Sequence, residues 1–228
     1  MSLLRLITFR QQPEPPTGIV TSDLIVHLDA GNSASYPGTG TTWTDLSGQG
    51  NDGTLVNGVG YSSNDGGYLT FDGVDDYVNN GAITTGGKIT VSAWVKMNTG
   101  NIYQHIMDSS SNTWHVAISS NNRPYMFNGS AYHTNGQILS TSTWYMITAV
   151  QGSTLDVYVN DVLSASVASN VNVTTNNVNI GRWQSYNDGQ VPIRYFNGNI
   201  AQVCLYNRAL TLAEIQQNFN ALRGRYGI

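Results

Sequence analysis

The acidic residues are the first candidates for chemistry in this chain. Hydrolysis of a glycosidic bond needs two carboxyl groups in one cleft, one protonated and one ionised. The chain has two glutamates: Glu14 lies in a proline-rich stretch, and Glu214 completes the helix-capping sequence Thr-Leu-Ala-Glu. Neither is placed to meet the other, so the dense acidic cluster is Asp72 with Asp75 or Asp76. The sequence predicts a protein that is not an enzyme, with a glycosidase built on an aspartate pair as an alternative.

Other catalytic patterns are missing from the sequence. It contains no Gly-x-Ser-x-Gly, His-Glu-x-x-His or Gly-x-x-x-x-Gly-Lys motif. Its single cysteine, Cys204, excludes an internal disulfide and a cysteine-based zinc site, and its apolar neighbours indicate a small buried hydrophobe. Three of the four histidines fall within 103–133, with no acid expected beside them.

Aromatic and amide side chains offer a second kind of chemistry, the binding of sugars. Trp183 lies among polar residues, which predicts an exposed ring, whereas Trp114 alternates with Val116 and Ile118 and is expected in the core. Aromatic residues in a sandwich also serve as plain packing, and that alternative stays open. The candidate sugar-binding residues are Trp183, Tyr186, Arg182, Asn187, Asp188, Tyr103, Tyr132 and His133.

Oxygen-bearing side chains in glycine-rich turns offer a third chemistry, the binding of calcium, which prefers several hard oxygen ligands. Asp45 and Asp52 belong to the same class of turn. The competing interpretation is that these side chains accept hydrogen bonds from their own backbone. No cofactor is expected to be required, and calcium is the candidate ion. Its predicted ligands are Asp72, Asp75, Asp76, Asn197 and Asn199.

The composition limits what can position these groups. The chain has 228 residues, 11% charged and 40% hydrophobic, which is enough for one domain with a real core. A net charge of −4 without a basic cluster argues against nucleic-acid binding. No apolar run is long enough for a membrane span, so no membrane insertion is expected.

Hydrophobic alternation of period two predicts an all-β protein. Short runs such as 89–96, 114–119 and 154–160 alternate cleanly between glycine- and asparagine-rich turns, whereas 144–150 and 200–206 are apolar on both faces, as central strands are. Residues 211–222 break this pattern with a capping box and helical spacing. The prediction is a two-sheet antiparallel sandwich with one short C-terminal helix.

The first 18 residues have a different character. Residues 1–10 are apolar, and residues 11–18 form a proline-rich spacer that should be extended; no secretory signal is recognised. The plain interpretation is a frayed terminus. We predict instead a docking arm over 1–18 and a sandwich domain over 19–228. The residues expected to dock on a partner are Leu3, Leu4, Leu6, Ile7 and Phe9.

Several short motifs follow one another in a recognisable order. They include Trp-Thr-Asp-Leu-Ser-Gly at 43–48, Phe-Asp-Gly-Val-Asp-Asp-Tyr-Val at 71–78, Ser-Ala-Trp-Val at 92–95, Asn-Ile-Gly-Arg at 179–182 and Leu-Tyr-Asn-Arg-Ala-Leu at 205–210. Together they resemble the concanavalin A-like lectin/glucanase superfamily in its laminin-G-like branch, over about residues 20–222. The resemblance implies a jelly-roll sandwich. Relatives often carry an acidic pair after Asn-Gly-x-Ile, where this chain has Ala201 and Gln202, which weakens any inherited calcium site.

The asparagine-rich composition and the C-terminal stretch 216–226 resemble those of tailed-phage virion proteins. That resemblance implies a non-enzymatic structural protein on the virion surface, made in the host cytoplasm, as a capsid decoration or a tail or fibre adhesion module. Its partners would be other virion proteins, reached through residues 1–18, and a host surface glycan. It would be present as a homo-oligomer or in multiple copies. The alternatives are a carbohydrate-binding module of a bacterial or phage adhesin and, as above, a glycosidase.

Overall fold

The predicted all-β sandwich with a C-terminal helix is confirmed. The structure, a computed structural model, describes residues 17–110, 113–130, 132, 136–174, 176–183 and 194–228. Nearly all of the predicted docking arm, with Leu3, Leu4, Leu6, Ile7 and Phe9, therefore lies outside the described residues. The division between arm and sandwich stays a prediction.

The first sheet of the described chain has eight antiparallel strands in the order β13-β12-β11-β7-β15-β5-β4, with β1 also paired to β15. The runs expected to be central strands are β11 and β15, and both are interior. The strands are β1 (Leu24–Asp29), β4 (Gly60–Ser62), β5 (Tyr68–Asp72), β7 (Ile89–Met97), β11 (Trp144–Gln151), β12 (Thr154–Val159), β13 (Val162–Ala168) and β15 (Asn197–Tyr206).

The second sheet has seven described strands in the order β10-β9-β8-β14-β6-β3-β2, all antiparallel. Asn57 and Gly58, both with positive φ (66° and 108°), turn the chain from this sheet at β3 into the first sheet at β4. The strands are β2 (Thr42–Trp43), β3 (Gly53–Val56), β6 (Tyr77–Ala82), β8 (Gln104–Ser109), β9 (Trp114–Ile118), β10 (Pro124–Phe127) and β14 (Asn177–Ile180).

The main core fills the space between the two sheets. Side chains alternate between the two faces of a strand, so every second residue points into the core. Trp114 is among these fully buried side chains, as predicted. Phe71 and Phe196 meet edge to face there, with ring centroids 6.2 Å apart. The face of each sheet that points away from this core is called its outer face below.

A second apolar cluster covers the centre of the outer face of the eight-stranded sheet. Helix α1 (Leu212–Leu222) lays Ile215 and Phe219 on this face, and the 3-10 helix Arg223–Tyr226 continues it. The ring of Trp94 stacks on the rings of Phe219 and Tyr226, at centroid distances of 5.8 and 4.2 Å. No helix in the described part of the chain is long and apolar enough to cross a membrane.

Candidate functional site

A bulge in β8 brings two polar residues to the same outer face. The pairing of β8 with β9 shifts register between His105 and Met107, and both Ile106 and Met107 point into the core. Residues three apart on a regular strand point to opposite faces, but one extra residue reverses that parity. His105 and Asp108 therefore both face outward from the seven-stranded sheet.

Asp108 belongs to a continuous cross-strand row on that face. Thr54 and Asn79 are direct partners on β3 and β6, Asn79 is opposite Asn179 on β14, and Asn179 is opposite Asp108. Asp108 is in turn paired with His115 of β9, and His115 with Phe127 of β10. We call these six residues the polar row (Thr54, Asn79, Asn179, Asp108, His115 and Phe127). Directly opposed side chains on a sheet are close enough to interact.

The two histidines at this row are buried and packed against other rings. The ring centroids of His105 and His115 are 4.6 Å apart, and His115 also stacks on Phe127 at 5.1 Å. Burial, followed by the positive charge of Arg194, lowers the pKa of His115 to about 3. Burial also holds the pKa of His105 well below its ordinary value. Both imidazoles are therefore neutral at pH 7.

Trp183 and Arg194 cover the imidazoles. The indole of Trp183 lies nearly parallel to His105, with centroids 5.3 Å apart. The guanidinium carbon of Arg194 lies 4.7 Å from the Trp183 ring centre and 4.1 Å from that of Tyr103. Tyr103 also meets Tyr125 edge to face at 6.5 Å. The rings of Trp183, Tyr103 and Tyr125, together with the guanidinium of Arg194, form one wall of the site.

Arg182 and Tyr77 form a second stacked pair on the same sheet. The guanidinium carbon of Arg182 lies 3.5 Å from the ring centre of Tyr77. Arg182 also donates to Oδ1 of Asn179, with N–O distances of 3.1 and 3.3 Å. The two Arg-Tyr pairs, Arg182–Tyr77 at β6 and β14 and Arg194–Tyr103 before β8, therefore lie on the same side of the polar row.

One prediction about the sugar-binding candidates is wrong. Trp183 is 8% exposed, because its polar sequence neighbours do not decide its position and its ring packs onto His105. Tyr103 and Tyr132 are exposed, by 41% and 60%, and Arg182 is half-buried. Tyr186, Asn187, Asp188 and His133 lie outside the described residues.

The predicted calcium ligands are brought together only in part. One carboxylate oxygen from each of Asp72, Asp75 and Asp76 lies within 4.8 Å of the others. Oδ1 of Asp72 accepts from the backbone N–H of Val74 at 2.8 Å, which lowers the Asp72 pKa. Oδ2 of Asp76 in turn accepts from the backbone N–H of Asp72 at 3.1 Å. These hydrogen bonds are the ones that the competing interpretation predicts, in which the side chains accept from their own backbone. Calcium binding at this turn stays a prediction.

Three of the remaining calcium candidates, Asn197, Asp45 and Asp52, bond to the backbone. Asn197 donates from Nδ2 to the carbonyl of Asp72 at 2.7 Å, and Asn199 is buried in β15 opposite Thr70. Asp45 accepts from the backbone N–H groups of His27, Ser47 and Asn51.

Asp52 accepts from the backbone N–H of Asp45 at 2.8 Å. Each of these contacts fixes a turn or a strand end.

Glu214 is committed to the helix terminus, as the capping box predicts. Its carboxylate accepts two bonds from Arg208, at 2.7 and 2.9 Å, and one from the backbone N–H of Thr211. Glu14 lies outside the described residues. No pair of glutamates faces a common cleft in the described part of the chain.

Sequence reasoning missed the acid beside the histidines. Asp108 was not expected near them, yet it, His105 and His115 bring ligand atoms within 4.8 Å of one another. The signal that could have revealed this is the apolar pair Ile106 and Met107 between His105 and Asp108, because two polar residues three apart share one face only if the strand has a bulge. Arg194 and Asn179 were missed because they join the site only through sheet pairing.

Comparison with known proteins agrees with this architecture. A family model, Laminin_G_3, described as "Concanavalin A-like lectin/glucanases superfamily", matches residues 70–216. No curated protein sequence matches this chain.

Similar solved structures share the fold at low sequence identity. A mutant sialidase of Trypanosoma rangeli displaying trans-sialidase activity has a TM-score of 0.69 at 16% identity, over 92% of this chain and 34% of that one. Domain 4 of an extracellular arabinanase of Geobacillus stearothermophilus, in complex with arabinotriose, has a TM-score of 0.67 at 15% identity, over 86% and 98% of the two chains. Botulinum neurotoxin type C, which depends on two ganglioside molecules to enter cells, has a TM-score of 0.66 at 16% identity, over 88% and 51%. This chain thus spans about a third of the sialidase and nearly all of the arabinanase domain.

Proposed function

Because the chain belongs to the concanavalin A-like lectin/glucanase superfamily, we propose that it is a non-catalytic carbohydrate-binding module whose binding surface is the outer face of the seven-stranded sheet. The superfamily fold also serves enzymes and structural proteins, so the function has to be argued from the site. The arabinanase domain in complex with arabinotriose and the ganglioside-dependent toxin are similar in fold to this chain. Their ligands support the proposal that this chain also binds carbohydrate.

The observation that carries the proposal is the exposed tyrosine beside a cation on this face. Tyr103 offers 41% of its surface to solvent, and Arg194 is held against its ring. A sugar ring presents an apolar face that stacks on aromatic rings and hydroxyl groups that bond to planar donors and acceptors. Tyr103 supplies the ring, and Arg194 supplies donors fixed next to it.

The Arg182–Tyr77 pair supplies a second set of contacts. Asn79 is exposed beside it, and Asn179 fixes the guanidinium through its side-chain oxygen. An arginine whose orientation is already fixed loses less conformational entropy when it binds a ligand. A glycan lying beside the polar row, over β6, β14 and the start of β8, can therefore contact both Arg-Tyr pairs.

A glycan array and titration calorimetry with any sugar that it identifies test this function. Tyr103→Ala is expected to weaken binding about tenfold or more, equivalent to about 1.4 kcal/mol. Tyr61→Ala is the matched control, since Tyr61 is 37% exposed but lies on β4 of the other sheet. An array without binding, or equal losses in the two variants, would contradict the proposal. Trp183→Ala is a poorer test because that ring is buried.

The assignment as a non-enzyme is part of the proposal. Its support is that Glu214 is bound to Arg208 and that Asp72 and Asp76 are tied into one turn. Burial raises the pKa of Asp76 while backbone hydrogen bonds lower that of Asp72, and such a divergence is also what an acid–base pair shows. The glycosidase alternative is therefore tested directly. Hydrolysis of a polysaccharide by the chain, lost in Asp72→Asn or Asp76→Asn, would establish it.

We further propose that the module is displayed on a tailed-phage virion as a capsid decoration or a tail or fibre adhesion protein, in several copies. Two contacts at the start of the described chain support a module tethered through its N-terminal segment. The backbone N–H of Val20 donates to Asn218 of helix α1 at 2.8 Å, and Gln217 donates to the carbonyl of Gly18. Gly18 and Val20 are therefore held on the helix side of the sandwich, opposite to the candidate sugar-binding face.

Deletion of residues 1–18 tests the tether. The shortened chain loses only the exposed bond from Gln217 to Gly18 among the described contacts, so its unfolding temperature is expected to change little, and it should lose association with virion proteins. A control deletion of residues 1–2 should keep that association. Normal assembly of the shortened chain would contradict the virion tether and leave the carbohydrate proposal intact.

A further inference from the structure

We propose that His105, Asp108 and His115 form a binding site for one divalent transition-metal ion, with zinc as the best match to the donors. The site lies where β8 and β9 meet on the outer face of the seven-stranded sheet. This inference does not depend on the proposed sugar binding.

The donor atoms of the three side chains converge on one point. One imidazole nitrogen from each histidine and one carboxylate oxygen of Asp108 lie within 4.8 Å of one another. Donor atoms on tetrahedral zinc are about 3.4 Å apart, given metal–ligand distances of about 2.0–2.2 Å. Small side-chain rotations therefore close the cluster around an ion. The bulge at Ile106 and the direct pairing of Asp108 with His115 hold all three side chains on one face.

Three imidazole nitrogens of this cluster are buried and have no hydrogen-bond partner in the described part of the chain. His105 is fully buried, and neither of its ring nitrogens has a partner among the described residues. The same holds for Nδ1 of His115, whose ring is 6% exposed. An unsatisfied buried polar atom is costly, so such groups call for an explanation. A coordinated metal ion supplies the missing partner for a nitrogen lone pair.

The protonation states also fit. The lowered pKa values of both histidines keep them in the neutral form that binds metals. Asp108 contributes a negative charge next to them, and Arg194 contributes a positive one that opposes the ion.

The donor set selects the class of metal. Two imidazoles and one carboxylate suit zinc, iron(II), cobalt(II) and nickel(II), whereas calcium and magnesium prefer oxygen donors only. Three protein ligands leave a fourth position for water or for an added ligand.

The test is a titration of zinc chloride into the full chain after a chelator has removed any bound metal. We expect one zinc per chain with a dissociation constant below about 1 µM. His115→Gln and Asp108→Asn are each expected to weaken binding by about 100-fold or more, since each removes a direct ligand. His27→Gln is the matched control, because His27 lies on β1 and bonds to Gln202, away from the cluster. Equal affinity in the ligand variants and the control would overturn the proposal, as would no saturable binding.

A second measurement needs no variant that might fail to fold. In ¹⁵N-histidine NMR spectra of the unmutated chain, zinc is expected to shift the ring signals of His105 and His115 and leave those of His27 in place. Unchanged signals from His105 and His115 at saturating zinc would overturn the site. Zinc binding without any glycan binding would leave this inference standing and refute the sugar proposal alone.

Discussion

Replacing Glu214 with glutamine tests how helix α1 is held on the sandwich. The carboxylate closes the capping box with Thr211 and pairs with both terminal nitrogens of Arg208, which lies just before the helix. These contacts lower the Glu214 pKa to about 2, and the bond to Arg208 is the largest cause. Glutamine keeps the geometry of a capping box but loses the charge that Arg208 binds.

The pKa sets both the size of the effect and its pH range. The folded-state pKa lies below the ordinary 4.5, so the stabilisation is complete above pH 4.5 and is lost as the pH falls towards 2. The full difference corresponds to about 3 kcal/mol. Solvent screens this pair, since the side chains are 24% and 27% exposed, and we expect about 1–2 kcal/mol.

Urea unfolding of the two proteins across this pH range is the assay. The variant is expected to be less stable by about 1–2 kcal/mol at pH 7, and the gap should shrink steadily below pH 4.5. Asp161→Asn, in the turn between β12 and β13, controls for the loss of one negative charge. A gap that is the same at neutral and acid pH would refute the ionic account and leave packing as the cause.

Three further predictions follow from local packing. Trp183→Ala should destabilise the chain by about 3–5 kcal/mol because the ring is buried, whereas Tyr103→Ala should stay within about 0.5 kcal/mol, both measured by urea unfolding. Gly67→Ala should cost more than about 1 kcal/mol in the same assay, since φ is +102° and a Cβ would lie 2.7 Å from the carbonyl oxygen of Ala30. Burial raises the pKa of the Cys204 thiol, so a thiol reagent should label it only after unfolding, followed by absorbance.

The sequence predicted correctly those features that depend on residues close together along the chain. The alternation around Trp114 places its ring between the sheets, and the capping box starts helix α1 at Leu212, as expected. Cys204 is buried in β15, in keeping with its apolar neighbours. Each of these outcomes depends on residues within a few positions along the chain.

The site was harder to predict because sheet pairing assembles it. The chain around Trp183 is polar, yet the ring is buried on His105, which lies 78 positions earlier in the sequence. Asp108 shares a face with His105 only because of a bulge, and a strict period of two would have separated them. A one-residue change of register reverses every side chain, so composition cannot supply this information.

The choice of binding face follows from how the fold buries its surfaces. The inner faces of both sheets form the core, and helix α1 with Tyr226 covers the centre of the outer face of the eight-stranded sheet. The outer face of the seven-stranded sheet is where the polar row lies, crossing five pairings between β3 and β10. Three members of this row, Asn179, Asp108 and His115, are buried, and buried polar groups stabilise a sheet poorly compared with apolar side chains. The proposed ligand and metal binding would give these three residues a reason to be there, and measuring the two kinds of binding separately distinguishes these causes.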